Sequence, residues 1–479
     1  MAAGHCGDGL ELDPGVAAGH NMPEIPQLPL PESGLEHHVP AMKEVYHPPT
    51  HGVSNREETV CGLRKRSFYI ILVLALVIVA AAVGGGVGGV LAKRGSIDDV
   101  APPAADRNNS ESTRGQYELL PSTALSSVNF TDEYGYDNYL VFYQLRSRAL
   151  CQSAFNSSNG EWIVSLVNSR TDIIKNGTAI SASIFWRSKT VSLALSCFAL
   201  EEESKKKLTR SQSRDTRVYY ADPDNRIVGR LVAGSGLALS EASWNPVAGV
   251  SGNFATAPNS QIVSSGLENT DSYRGDFLFY QDSSGTIRMQ RRSGGPNEWD
   301  SHNVPFNLGR AVGGSGMALM PIYNAGLRAL SLFYNEAGTG TLKHASVMYD
   351  TRWTAEDLPT ALDESALITA FSWGYNSTDS SAALPGAKSN ATVQVLTLHP
   401  GRNVQLTSFA NGSWAFLGDV KGMAGREMPI MLATNQGGRV YGVVPDGDGR
   451  EVNVIEWRWK GGIEYERVGV VNTTLPGII

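Results

Sequence analysis

The chain is 479 residues long, with a formal charge of −7 and 42% hydrophobic residues. That length is too great for one ordinary core, and so mild an acidity excludes the basic stripe that nucleic-acid binding needs. Composition shifts twice along the chain, which separates a tail, an apolar segment and a large C-terminal region.

Residues 1–67 are rich in Pro, Gly and His and hold nine acidic and five basic side chains, so they carry −4 of the total −7. Such a stretch buries too little apolar surface to offset chain entropy, and it is expected to be a disordered cytosolic tail. Residues 68–92 carry no charge. At ~1.5 Å per residue, a helix of that length crosses a ~30 Å hydrocarbon core with some tilt. The segment is internal and longer than a cleaved leader, so it predicts one transmembrane α-helix, a signal-anchor in the lipid bilayer. Gly84 with Gly88, and Gly85 with Gly89, are spaced for close helix packing. They suggest a homodimer through the anchor, the alternative being a glycine run without a packing role.

Orientation follows from two signs. Arg64, Lys65 and Arg66 precede the anchor, whereas Lys93 and Arg94 are soon followed by Asp98 and Asp99, a bias toward a cytosolic N-terminus. Eight Asn-x-Ser/Thr sequons begin at Asn108, Asn129, Asn156, Asn176, Asn376, Asn390, Asn411 and Asn472, and none precedes the anchor. The expectation is a single-pass type II membrane glycoprotein with its C-terminal domain luminal or extracellular, at the plasma membrane or in the secretory pathway. Cys6 and Cys61 then lie on the reducing side, and Cys61, near the membrane and beside basic residues, suits palmitoylation. Cys151 and Cys197 lie on the oxidising side, where they either form a disulfide or remain two buried thiols.

Residues 93–115 read as a polar stalk. Beyond it one pattern recurs six times: an aromatic-rich strand, a polar turn, a second strand and a tryptophan. The clearest copy is Phe277, Leu278, Phe279 and Tyr280, a turn over 281–285, Thr286 to Met289 as the second strand, and Trp299. Other copies end at Trp162, Trp244, Trp353 and Trp414, and the last at Trp457 or Trp459. The middle tryptophans are 55, 54 and 61 residues apart. That period predicts an all-β fold, a six-bladed β-propeller over residues 116–479 with four strands per blade. Seven blades would need about 50 residues each, and two β-sandwich domains would not repeat at this period. The small or apolar stretches 180–184 and 316–319 suit innermost strands. Residues 191–200 also alternate, so the second blade carries an insertion or a displaced strand; the charge run 201–207 reads as a solvated loop. Ring closure is expected through a strand lent to the last blade by residues 126–130.

The repeat resembles that of the fungal fucose-specific lectins, six-bladed propellers, over about residues 116–479. The basic residues 64–66 and the glycine-rich end of the apolar run resemble membrane-anchored members of filamentous fungi. The resemblance implies sugar pockets between adjacent blades, each built from an Arg before the aromatic strand, a Glu or Gln on the next strand, and an aromatic on the sugar's apolar face. A guanidinium donates in fixed directions and a carboxylate accepts, so hydroxyls at defined angles are selected. Carried over residue by residue, the pattern leaves Arg217 and Tyr219 in one blade, with Gly229 where the acid belongs, and Arg439, Tyr441 and Glu456 in another. Elsewhere the Arg position is Leu140, Phe277, Ser331 or Gln394, and the acid position is Met289, His344 or Leu406, so most sites are expected to be degenerate.

Bland readings stand beside these. Arg217 and Arg439 can be ordinary blade-surface arginines, and the tryptophans blade-packing residues. His302, His344 and His399 lack metal-ligand spacing, and no cofactor is expected. The Ser-x-Asp-x-Gly-x-Thr-Trp turns of sialidases and the Gly-x-Ser-x-Gly and His-Glu-x-x-His motifs are absent, which disfavours an enzyme. Two functions remain: a membrane-anchored carbohydrate-binding lectin-like protein for fucosylated glycans, with few working sites, and a degenerate propeller serving as a protein-interaction scaffold.

Overall fold

The computed structural model describes residues 115–476 except 133, 187–213, 235–236, 238–239, 268–274, 293–298, 304–309, 325–326, 349–351, 374–391, 448 and 450, together with the backbone of Thr59–Val60 and Leu63–Arg64. The chain divides into two units, Met1–Gly95 and Ser96–Ile479. In the first, the two short strands pair antiparallel, with Val60 opposite Leu63. This local pairing, within a stretch read from composition as disordered, closes over only two residues and so costs little loop entropy. The expected anchor, 68–92, lies outside the described residues, among which no helix is long and apolar enough to cross a membrane.

The second unit is a six-bladed β-propeller of four-stranded antiparallel sheets. Blade 1 is Ser126–Thr131, Asp137–Gln144, Leu150–Asn156 and Glu161–Asn168. Blade 2 is Ile180–Trp186, Arg214–Ala221, Ile227–Val232 and Asn245–Pro246. Blade 3 is Ile262–Leu267, Gly275–Gln281, Ile287–Arg292 and Trp299–Asn303. Blade 4 is Met317–Asn324, Leu327–Asn335, Thr341–Met348 and Thr354–Ala361. Blade 5 is Leu367–Trp373, Thr392–Leu398, Gln405–Ala410 and Ser413–Asp419. Blade 6 is Met431–Thr434, Arg439–Pro445, Val452–Gly461 and Glu464–Val470. We letter the strands of each blade a to d in chain order, from the axis outward.

Strand b is the buried centre of each blade, and its aromatic and β-branched side chains fill both faces: Leu140, Val141, Phe142 and Tyr143 are all fully buried. The polar turns between b and c form where the sequence places Asp. Asp222 Oδ1 accepts the amides of Asp224 and Arg226 at 2.9 and 2.8 Å, and Asp282 Oδ1 accepts those of Ser284 and Thr286 at 2.9 and 3.1 Å. A second stitch recurs. The last amides of strand b, Gln144, Ala221 and Gln281, donate to Thr123, Thr178 and Ser260 at 2.7, 2.7 and 2.8 Å. Each hydroxyl stands in the connection that enters the same blade.

The stretches expected to be innermost, 180–184 and 316–319, do lie at the axis, where Ala182, Ser183, Ile184 and Leu319 join Ser127, Ser264 and Ser265 in lining a narrow channel. The segment 126–130, expected to be lent to the last blade, is instead strand a of blade 1, and all four strands of blade 6 come from the C-terminal end. The ring closes side by side. Strand a of blade 6 meets strand a of blade 1, Asn435 Nδ2 donates to Ser127 Oγ at 3.0 Å, and Tyr441, Val443 and Val454 pack with Val141, Tyr143 and Leu475. No free edge needs capping by exchange, because each blade already pairs its own four strands.

Close backbone approach fixes one junction. A Cβ on Gly316 would lie 2.2 Å from the Ile368 amide nitrogen, since its own amide bonds Ala366 O at 2.8 Å across blades 4 and 5. We therefore expect Gly316→Ala to destabilise the propeller by about 1–3 kcal/mol in chemical denaturation; an unchanged midpoint would contradict this packing.

Candidate functional site

The b–c register defines one equivalent position in each blade. Tyr441 opposes Glu456, Tyr219 opposes Gly229, Phe279 opposes Met289, Phe333 opposes His344, Leu396 opposes Leu406 and Phe142 opposes Gln152. These side chains face the next blade, and there the tryptophans arrive. Trp162, Trp244, Trp299, Trp353 and Trp414 stand edge-on to Tyr441, Phe142, Tyr219, Phe279 and Phe333 of the preceding blade, with centroids 6.2, 6.1, 6.4, 5.8 and 5.7 Å apart. In blade 6 the equivalent is Tyr465, packed with Leu396. Trp457 and Trp459, expected to end the sixth repeat, sit on strand c instead.

Between blades 6 and 1 this frame holds a polar pair. Arg439 Nη1 lies 3.2 Å from Glu456 Oε1, and their side chains are 16% and 8% exposed, so the pair is shielded without being sealed. Tyr441 Oη donates to the same carboxylate oxygen at 3.2 Å. The wall opposite comes from blade 1. Tyr139, Phe155 and Trp162 oppose one another across strands b, c and d, and the Arg439 guanidinium lies 4.9 Å from the Tyr139 ring centre. Among the described residues Arg439 Nη1 has no aligned hydrogen-bond acceptor. A directed donor, a carboxylate and an aromatic wall thus share one cleft.

Burial governs the electrostatics. It raises Glu456 above the usual glutamate range, although Arg439 and the Tyr441 hydroxyl pull it down. For Arg439 burial opposes the charge, but Glu456 and then Tyr139 over-compensate and keep it firmly protonated. Burial also pushes the Tyr441 hydroxyl well above the usual tyrosine value, so it stays a donor.

The other gaps are filled differently. Arg217 and Tyr219 are brought together between blades 2 and 3, but both are buried. Arg217 is ion-paired with Asp276 of blade 3 and Asp215 of its own blade, and Arg292 approaches Asp276 at 3.5 Å. The quartet balances two positive and two negative side chains, with Arg217, Asp215 and Asp276 buried and Arg292 partly exposed. A Cβ on Gly229 would lie 2.8 Å from Val247 Cβ, so no acid fits there, and the Tyr219 hydroxyl, raised by burial, already has Arg217 as its partner. Leu140, Phe277 and Leu396 with Leu406 fill their gaps with apolar atoms.

Between blades 4 and 5, His344 Nε2 contacts Ser331 Oγ at 3.0 Å and His344 Nδ1 contacts Glu356 Oε1 at 2.9 Å. Trp414 Nε1 donates to the same Glu356 oxygen at 2.9 Å, and His344 holds that carboxyl below its usual range. The order Ser, His, Glu is that of an acyl-transfer triad. Ser331, however, is 1% exposed, so a substrate carbonyl cannot reach its hydroxyl, and the relay positions Trp414.

Of the sequon asparagines, Asn176, Asn411 and Asn472 are exposed, Asn129 and Asn156 are half-buried, and Asn108, Asn376 and Asn390 lie outside the described residues. Cys151 is a buried free thiol, raised by burial; its expected partner Cys197 lies outside the described residues. Among the described residues no three His, Cys, Asp or Glu side chains gather as for a metal ion. Sequence reasoning missed Tyr139 and Phe155, because the wall belongs to the blade that precedes the Arg–Glu pair by some 300 residues. Their one signal was register: Tyr139 is the neighbour of Leu140, at the alternate position of the same strand.

No known family profile matches the chain, and no curated protein does. Solved structures do. The six-bladed fungal lectin from Aleuria aurantia, described as fucose-specific, aligns with a TM-score of 0.55 at 16% identity over 75% of this chain and 99% of that one. The lectin SapL1, solved with alpha methyl fucoside, aligns with a TM-score of 0.51 at 15% identity over 76% of this chain and 99% of that one. The likeness is one of fold.

Two outcomes follow from the charges. Since Glu456 is raised above 4.5 in the fold, the folded chain holds its proton more tightly than the unfolded one. The resulting stabilisation is complete below the unfolded pKa and lost as pH rises through the folded one. Glu456→Gln should therefore be more stable than the parent at neutral pH, the difference fading toward about pH 4 in melting curves. Arg217→Ala, which strands buried carboxylates, should cost about 3–5 kcal/mol of stability in denaturant titration.

Proposed function

We propose that this chain is a membrane-anchored, lectin-like propeller that binds a fucose-type sugar in the cleft between blades 6 and 1. The observation that carries this reading is the juxtaposition of Arg439, whose Nη1 has no aligned acceptor among the described residues, with Glu456 and the aromatic wall of Tyr139, Phe155 and Trp162. A six-carbon deoxy sugar offers what each part needs. Its vicinal hydroxyls accept from the guanidinium and donate to the carboxylate, while its methyl and C–H face lies on the aromatic rings. The structural neighbours named above are fucose binders by description, which supports the choice of sugar. The eight sequons, the charge bias and the uncharged run 68–92 support a type II orientation with this domain luminal or extracellular.

A second reading has its own support. Among the described residues, apolar side chains or a charge-balanced ion quartet occupy the place of a ligand in four of the six gaps. A propeller so filled also suits a scaffold whose partners are proteins. Binding of the full chain to immobilised fucose separates the two. Substituting Arg439→Ala or Glu456→Ala should lower affinity roughly tenfold to a hundredfold each, as expected for lost hydrogen bonds to charged groups, and the pair should abolish it. Equal binding by the double variant would place the sugar elsewhere, and a folded parent that binds no fucose would leave the scaffold.

A further inference from the structure

The cleft between blades 6 and 1 contains a glycosylation sequon in its own wall. Asn129 opposes Tyr139 across strands a and b, Tyr139 opposes Phe155, and Phe155 opposes Trp162. Directly opposed residues share a face of the sheet, so Asn129 is the innermost member of the row that faces Arg439, at the point where that row reaches the axial channel. Its environment agrees. Asn129 Oδ1 accepts the Gly437 amide at 3.0 Å, and a point at the missing Cβ of Gly437 lies 3.1 Å from both Asn129 Nδ2 and Tyr139 Cε1.

The amide nitrogen is the atom that carries an N-linked glycan. Asn129 Nδ2 makes no hydrogen bond to the described residues, since only its oxygen is engaged. Asn156 differs. Its Nδ2 donates to Asn138 Oδ1 at 2.7 Å and to Asp132 Oδ2 at 3.2 Å, so a glycan there would remove one of two bonds. Asn176, Asn411 and Asn472 are exposed, but none lies in the row. Of the five described sequon asparagines, Asn129 alone joins a free amide to a place in the cleft wall.

We infer that Asn129 is glycosylated and that this glycan occupies the cleft between blades 6 and 1, so the chain's own saccharide competes with external sugar at Arg439 and Glu456. This rests on the sugar-binding reading above. A short tether gives the attached saccharide a millimolar effective concentration. Against a cleft with sub-millimolar affinity for it, external ligand would bind roughly threefold to tenfold more weakly.

The test uses the full chain from a eukaryotic secretory host, held in detergent. Thr131→Ala removes the sequon and keeps Asn129, while Thr131→Ser keeps both the sequon and a hydroxyl for the bond that Thr131 makes to Asp137 at 3.0 Å. Glycopeptide mass spectrometry reads occupancy at Asn129, and a fluorescein-labelled α-L-fucoside reads affinity. The expected result is occupancy in the parent and in Thr131→Ser, with threefold to tenfold tighter binding by Thr131→Ala and by endoglycosidase-trimmed parent. A bare Asn129 overturns the inference, and so does equal binding by all forms, which leaves the sugar site standing. Absence of binding by every form, trimmed protein included, overturns both.

Discussion

The edge-on contact between the outer tryptophan of one blade and the central-strand aromatic of the blade before it is the constraint on which this ring depends. It recurs in five gaps with centroid separations between 5.7 and 6.4 Å, and Tyr465 takes the tryptophan's place in the sixth. An aromatic pair at that separation is worth about 0.5–1.5 kcal/mol beyond its buried area. The geometric effect matters more. The wedge is near-constant in five gaps, and what differs among them is the polar or apolar filling beside it.

That filling takes four forms. In three gaps apolar side chains continue the core, and the gap is simply part of the fold. Between blades 2 and 3 charges are present but consume one another, with two carboxylates set against two guanidinium groups. Between blades 4 and 5 a histidine links Ser331 to Glu356 and immobilises a tryptophan. Only between blades 6 and 1, among the described residues, do an arginine and a carboxylate stand together against a wall of rings while keeping some exposure. A buried pair without full hydrogen bonding is a net cost to folding, and the raised Glu456 expresses that cost. An occupant that satisfied this carboxylate would offset part of that cost.

Much of the fold was legible because its periodicities are local. Alternation marked the strands, Asp-led turns marked the hairpins, and the tryptophan spacing set the blade count. Arg439, Tyr441 and Glu456 could be grouped because one hairpin carries all three. What was not legible depends on partners distant in the chain. Tyr139 joins Arg439 only when the ring closes, and the closed state of Arg217 needs Asp276 from the next blade. Trp457 and Trp459 misled because blade 6 has tryptophans on strand c, and a sequence shows the residue type without the strand. The segment 126–130 has the alternation of a donor strand, but a sheet with four strands of its own has no place for a fifth.

Closure without an exchanged strand has a mechanical consequence. The first and last blades are joined by side chains and a few hydrogen bonds, such as those from Asn435 to Ser127 and from Gly437 to Asn129, with no shared ladder. The seam where the two ends of the propeller meet is therefore the natural place for the toroid to gape, and the cleft lies across that seam. Any molecule that grips Arg439 on one lip and Tyr139 on the other acts as a clasp, and free energy of binding is returned as resistance to opening. Occupancy at this one place would be felt by the whole ring as slower fraying and slower proteolysis.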